Sequence, residues 1–507
     1  MSEKKPFYIT TTIPYVNADP HIGFALELVQ SDAIARYQRL TGRNVFFNTG
    51  TDEHGQKIWE ASQEEGKNVQ DYVDKYAQNY LDLKKTLNLS NDNFIRTTSP
   101  EHIKAVQEFW RLCEKKGDIY KKKYKGLYCV GCEKFITEKD LVNDKCEFHP
   151  TLTPELVEEE NYFFKLRKYR EKLLDYLSTE KVIIPEWRRK EAIDFVQNDI
   201  EDFSISRAKT RFSWGVPIPE DDEQVMYVWF DAFVNYISTL GWPNSKGAYE
   251  RFWQKGEKVQ TAGKDMVKFQ SVMWQGMLMS TGLPTTNTIV YHGFITGKGG
   301  IRMSKSLGNV ISPNEVVKEY GTDALRYFLL REISPFEDSP FTMERFKDAY
   351  NANLANGLGN LVSRVMTLSE KYINYPISIG ITFSKYSLID DAIEKFDLNR
   401  AMNLIWSEMS QMNLVIEESE QIENFGPNYV VRGGPVSSVA SMDSSIQIEQ
   451  PWAIKNEQIR RDKIIQEVGK LARLAIILKP FLPETSEKIL EGIRTNRKPE
   501  NLFPHKD

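Results

Sequence analysis

The first fifty residues carry an alternation that few architectures can absorb. The apolar run "FYITTTI", residues 7–13, reads as a buried strand, and Ile22, Leu26, Val29, Ala33, Tyr37 and Leu40 then recur at helical spacing until Gly42, a helix stop. "NVFFNTGTDEHG" supplies a second strand and the loop that follows it. Strand, helix, strand is the unit of a parallel sheet. The alternation breaks near "KGLYCVGCEKF", resumes at "QVMYVWFDAFVNYI" and gives a further strand at "NTIVYHGFI". The expected fold class is therefore α/β, a doubly wound Rossmann-type sheet interrupted by an inserted module.

From about Ala352 the strands stop. "NLANGLGNLVSRVMTLSEKYI", "FDLNRAMNLIWSEMSQMNLVIEE" and "IRRDKIIQEVGKLARLAIIL" read as amphipathic helices of a C-terminal bundle. Between the last two lies "NFGPNYVVRGGPVSSVASMDSS", rich in Gly, Ser and Asn, which reads as a long surface loop or a disordered insertion. A chain of 507 residues suits several domains. The expected boundaries are 1–118 and 225–350 for two halves of the sheet domain, 119–224 for the insert and 351–507 for the bundle.

The formal charge of -5 excludes a protein that coats nucleic acid indiscriminately, so a nucleic-acid partner must be met by local patches. No stretch has the pattern of a secretory signal, and no apolar run approaches the roughly 18 residues that span a bilayer. A soluble cytoplasmic protein with no membrane partner is the expectation. Of the four cysteines, Cys129, Cys132 and Cys146 fall within one segment, with Cys113 nearby. "CVGCEKFITEKDLVNDKCEFH" spaces Cys129 and Cys132, then Cys146 and His149, as two short chelating pairs. That is a closed four-ligand set of the kind that holds structural Zn2+.

Two further stretches carry chemistry. "PHIGFA", residues 20–25, lies where the first strand gives way to the first helix. A helix start there offers N–H groups and the positive dipole end to phosphate, Gly23 permits close approach, and His21 can donate to a phosphate oxygen. In "GKGGIRMSKSLGN", residues 297–309, a glycine-rich loop is followed by Arg302, Met303, Ser304 and Lys305. Two cations there suit a departing pyrophosphate. A solvated basic loop is the alternative reading of these residues alone.

Taken together, the two stretches resemble the signatures of class I aminoacyl-tRNA synthetases. "FYITTTIPYVNADPHIG", "NTGTDEHGQKI", "GLYCVGCEKFITEKDL", "VWFDAFVNYI", "GKDMVKFQSVMW", "RMSKSLGN", "GLGNLVSR" and "QPWAIKN" follow one another as in the methionyl-tRNA synthetase family of the bacterial type with a single zinc knuckle. The resemblance implies ATP sites at His21, Gly23, Gly263, Lys264, Asp265, His292, Met303, Ser304 and Lys305, with His21, Arg302 and Lys305 catalytic. It implies a methionine pocket of Ile13, Tyr15, Asp52, Trp229, Ala232, Phe233, Tyr236 and Gln270, Asp52 holding the ammonium group. In the bundle it implies that Asn360, Arg364 and Trp452 read the anticodon, CAU.

Implied with these are one structural Zn2+ on Cys129, Cys132, Cys146 and His149, Mg2+ with ATP, and tRNA(Met), methionine and ATP as substrates of a methionine-tRNA ligase. A monomer is expected, since no further C-terminal domain follows the bundle. The chain departs from the family in three places: Phe24 replaces the second histidine of HIGH, Arg302 the first lysine of KMSKS, and Gln270 a pocket histidine. Phe24 cannot donate a hydrogen bond. This keeps open an alternative, a catalytically weakened synthetase-like paralogue acting in RNA binding or regulation.

Overall fold

The computed structural model describes residues 4–506 apart from 131–133, 137–140, 148–152, 302, 304–308, 378–386 and 424–456. The chain divides into two compact units, Met1–Thr322 with Ser334–Pro340, and Asp323–Ile333 with Phe341–Asp507.

The first unit is built on a sheet of six strands in the order Asn93–Arg96, Val45–Thr51, Phe7–Thr10, Glu257–Gly263, Thr288–His292, Ile183–Ile184, every neighbouring pair parallel. Strand order reverses between Phe7–Thr10 and Glu257–Gly263, so a crevice opens beyond their carboxyl ends. Pairing stops at Thr10, short of the end of "FYITTTI", which puts Thr12 and Ile13 at the mouth of that crevice. The helix Ile22–Leu40 follows, ending before Gly42 at φ +82°.

Two expectations about the sheet need correction. "QVMY" does not rejoin it: Asp221–Met226 is the middle strand of a separate antiparallel sheet with Ser206–Ala208 and Pro217–Ile218. The central strand Glu257–Gly263, "EKVQTAG", escapes a search for apolar runs because Lys258, Gln260 and Thr261 are polar yet buried. Thr261 Oγ1 lies 2.8 Å from Ser31 Oγ on the first helix, and Gln260 Oε1 accepts from Thr286 Oγ1 at 2.9 Å. Partners brought by neighbouring elements remove most of the cost of burying these groups.

The inserted hairpin pairs Ile119–Cys129 with Glu155–Phe164, from Ile119 opposite Phe164 to Tyr128 opposite Glu155. Its far end, at Tyr128, is held by stacked cations. The fully buried Arg207 guanidinium lies 4.2 Å from the Tyr227 ring and 5.1 Å from the Tyr128 ring, and Arg211 lies 4.3 Å from Tyr128. Desolvated contacts of this kind contribute about 2 kcal/mol each.

The second unit is helical, with Asn360–Tyr372, Leu398–Glu423, Glu457–Leu478 and Pro483–Thr495 as its main members. Leu361, Val362, Val365, Met366 and Ser369 form the buried stripe of the first. Buried Arg326 donates to the carbonyls of Phe481 (2.8 Å) and Pro480 (3.0 Å), and Asp323 accepts the Thr485 N–H at 2.6 Å in the first turn of Pro483–Thr495. These two charged residues satisfy both sides of the turn between the last helices.

Candidate active site

A cavity of about 390 Å³ occupies the crevice at the carboxyl ends of the strands. It gathers Ile13, Tyr15 and Asp52 from the loops after the first two strands, and Gly263, Asp265 and His292 from the two strands beyond the reversal. His21 and Gly23 line it from the helix start, Trp229, Ala232, Phe233 and Tyr236 from two short helices, and Met303 from the glycine-rich loop.

At the helix start, His21 is the N-cap residue and its Nδ1 accepts the Gly23 N–H at 3.1 Å. With Nδ1 occupied as an acceptor, the neutral ring keeps its proton on Nε2 as a donor. A Cβ on Gly23 would stand 3.0 Å from the His21 ring, so a side chain there would crowd the imidazole that caps the helix. The expectation of unpaired N–H groups here is not met: Ile22 N–H goes to Ile311 O (3.0 Å) and Phe24 N–H to His21 O (3.0 Å). Donors for an anion at this corner must therefore come from side chains. Phe24 also lines the cavity and packs edge-on against Tyr80 at 5.5 Å.

One turn further on, buried Glu27 accepts from the Thr12 N–H (2.6 Å), Thr12 Oγ1 (2.7 Å) and His292 Nε2 (2.9 Å). His292 Nδ1 lies 2.8 Å from Gly293 O. Burial alone would depress the His292 pKa, but the hydrogen bond and charge of Glu27 hold it above the ordinary value. A Cβ on Gly263 would meet Asp265 Oδ1 at 2.8 Å, so glycine lets that carboxylate turn back over the strand end.

The opposite wall is aromatic. The Trp229 ring stacks on Phe269 at 4.4 Å and meets Tyr15 edge-on at 6.2 Å and Phe233 at 6.0 Å. Gln270, next to Phe269, is fully buried without lining the cavity, and neither atom of its carboxamide has a hydrogen-bond partner among the described residues. Lys264 also stays off the lining, pairing with Asp338 at 2.8 Å.

Arg302, Ser304 and Lys305 lie outside the described residues, as do Cys132, His149, Trp452 and the Gly/Ser-rich stretch near 423–446 from 424 onward. Cys129 and Cys146 are buried together against Ile136 in a small cluster at the hairpin tip, and no group of three or more metal-capable side chains forms among the described residues. Asn360 and Arg364 lie one turn apart on Asn360–Tyr372 in the second unit, Asn360 exposed.

Glu27 and Thr12 escape sequence reasoning. A signal existed: Gly23, Glu27 and Ser31 form a small or polar stripe at four-residue spacing beside the apolar face of the first helix. His54, His102 and Asp231, described below, had none.

Comparison with known proteins agrees with this geometry. The profile of the family described as tRNA synthetases class I (M) matches residues 7–148 and 136–366. The chain is 38% identical over 509 residues to the methionine–tRNA ligase of Rhizobium meliloti, covering 98% of this chain and 94% of that one. To the methionine–tRNA ligase of Thermotoga maritima it is 36% identical over 512 residues, covering 97% and 76%. Among solved structures, the methionyl-tRNA synthetase of Mycobacterium tuberculosis in complex with methionyl-adenylate superposes with a TM-score of 0.83 at 32% identity, covering 99% of each chain.

Proposed function

The chain belongs to the class I tRNA synthetases of the methionyl family and is an ATP-dependent methionine–tRNA ligase, and on that premise we propose that its cavity forms methionyl adenylate and passes the methionyl group to the 3' end of tRNA(Met). One observation carries the reading. A histidine-capped helix start and an aromatic wall face one cavity at the reversal of strand order, where a nucleotide and an apolar side chain fit side by side.

In the first step a methionine carboxylate oxygen attacks the α-phosphorus of ATP, and the bond to the bridging oxygen breaks to release pyrophosphate. The His21 Nε2 proton donates to phosphate oxygen as charge builds, and Asp265 beside Gly263 takes the ribose hydroxyls. Arg302 and Lys305 neutralise the departing pyrophosphate. Asp52 pairs with the methionine ammonium, while Tyr15, Trp229 and Phe233 surround the polarizable thioether. The Gln270 carboxamide, without a hydrogen-bond partner among the described residues, lies off the cavity lining and is left out of the contact with the sulfur. Mg2+ enters with ATP and shields its phosphate charge. In the second step a ribose hydroxyl at the tRNA terminus attacks the acyl carbon, losing its proton, and AMP leaves.

One Zn2+ on Cys129, Cys132, Cys146 and His149 completes the hairpin tip. The joint burial of Cys129 and Cys146 in one small cluster supports this. When bound, a structural zinc supplies folding energy to such a tip. Asn360 and Arg364, one helical turn apart, suit recognition of unstacked CAU bases together with Trp452. The expected setting is a cytoplasmic monomer; no described helix is long and apolar enough to cross a membrane.

Methionine-dependent exchange of pyrophosphate into ATP, followed by charging of a CAU-anticodon tRNA, tests the assignment. Tight tRNA binding without exchange would favour the weakened paralogue. The likeness, over 97% and 98% of this chain, to proteins named as ligases weighs against that outcome.

A further inference from the structure

The segment Asp52–Glu53–His54 sends three ionisable side chains to three destinations. Asp52 lines the cavity. Glu53 turns away to Arg96, with Nε to Oε1 at 2.6 Å and Nη2 to Oε2 at 2.9 Å. His54 Nδ1 lies 2.6 Å from Asp231 Oδ2. The other oxygen of that carboxylate, Oδ1, lies 2.8 Å from His102 Nε2, and His102 Nδ1 lies 2.8 Å from Ser238 Oγ. His54 is 4% exposed and both Asp231 and His102 are 0% exposed, so the cluster is dry.

Asp231 sits on Val228–Phe233, the same short helix that presents Trp229, Ala232 and Phe233 to the cavity. One buried carboxylate, bridged by two imidazoles, thus joins the strand end carrying Asp52 to the helix carrying the aromatic wall. Burial would raise the Asp231 pKa, but the charge of His54 and the two imidazole hydrogen bonds hold it below the ordinary carboxylate range. An ionised group so enclosed tolerates little displacement of either partner, because losing one imidazole leaves a buried charge partly unpaired.

We propose that His54, Asp231 and His102 are positioning residues for the amino acid, fixing the distance between the ammonium-binding Asp52 and the thioether-binding Trp229 and Phe233. This rests on reading the cavity as the methionine site. None of the three lines the cavity. The span from ammonium to thioether is the property that separates methionine from amino acids with shorter or longer side chains, so the bridge acts as a length gauge. A purely structural cluster would instead affect stability and leave substrate preference alone.

The test is pyrophosphate exchange in wild type, Asp231→Asn, His54→Ala, His54→Asn, His102→Ala and His102→Gln, with thermal melting alongside. The Asn and Gln replacements keep an N–H near the position of the lost ring donor. Asp231→Asn and the two alanine variants are expected to raise KM for methionine by about tenfold, with KM for ATP within about twofold of wild type. The preference for methionine over homocysteine, shorter by the S-methyl group, and over ethionine, longer by one methylene, should narrow, and His54→Asn and His102→Gln should recover most of it. Should Asp231→Asn fail to fold, the alanine and amide pairs at His54 decide by themselves. Melting shifts with unchanged methionine KM and selectivity would overturn the positioning role, as would equal losses for methionine and ATP. Wild-type protein without methionine-dependent exchange would overturn the methionine site itself, a distinct outcome.

Discussion

Glu27 Oε2 stands 2.9 Å from His292 Nε2, while Glu27 Oε1 takes both the N–H and the hydroxyl of Thr12. A single carboxylate thereby ties the first helix to the ends of two sheet strands on either side of the strand-order reversal. Glu27→Gln should keep the packing, weaken the hold on His292 and Thr12, and lower kcat/KM for ATP by about tenfold, or about 1.4 kcal/mol. Because the raised His292 pKa comes from Glu27, the pair stabilises the fold fully below the ordinary 6.5 and loses that contribution as pH rises through the higher folded value. The melting difference between wild type and Glu27→Gln should thus be largest in mild acid and shrink in alkali. A pH-independent difference would contradict it.

At His21 the cap and the catalytic role can be separated. Asn can accept the Gly23 N–H as the imidazole does, but cannot present Nε2–H. His21→Asn should melt close to wild type, and His21→Ala should lose about 1 kcal/mol. Both should form adenylate at least about a hundredfold more slowly, the scale for one preorganised donor. Rapid-quench measurement of adenylate decides it, and wild-type rates in His21→Asn would remove the donor role.

Phe24 meets Tyr80 edge-on, so Phe24→His gives up an aromatic contact of about 1 kcal/mol and introduces a donor at the cavity wall. Adenylate formation should rise a few-fold while the melting temperature falls. An equal or slower rate would mean that the cavity is adapted to the phenyl ring.

One zinc per chain should appear in elemental analysis of freshly purified protein, and Cys146→Ser should reduce it to background. Burial of Cys129 with Cys146 motivates the choice. Protease sensitivity should rise in the hairpin Ile119–Phe164, with the rest of the first unit spared. Zinc-free wild-type protein would refute the assignment.

In the helical unit, burial pushes the Asp323 carboxyl up to about 6, although its hydrogen bonds with Thr485 pull the other way. The folded state then holds the proton more tightly than the unfolded chain, so stability falls as pH climbs from about 3.9 to about 6 and stays reduced above. Asp323→Asn keeps an acceptor for the Thr485 N–H and removes the charge. Its gain in stability should be on the order of 2 kcal/mol at pH 8 and vanish near pH 4. Denaturant titration at both values checks this.

Much of the frame was legible before any coordinates. Ile22–Leu40 is the helix that its periodicity requires, ending where Gly42 interrupts it. Among the described residues, those named for the cavity on the strength of motifs line it, with Lys264 and Gln270 standing aside. Each of these readings depends on groups close in sequence: a periodic apolar stripe, or a short motif whose members share a turn.

By itself, then, the sequence determined the helices, the apolar strands and the corner where His21 caps the first helix, because those follow from local geometry and apolar patterning. Tertiary structure alone decided that the polar "EKVQTAG" lies at the centre of the sheet, that Glu27 braces His292, and that His54 and His102 share Asp231. The physical reason is the same in each case. A buried polar or charged group is tolerable only where its hydrogen-bond partners arrive. For these residues the partners come from up to 265 positions away, Glu27 to His292, a distance over which no hydrophobic pattern carries information.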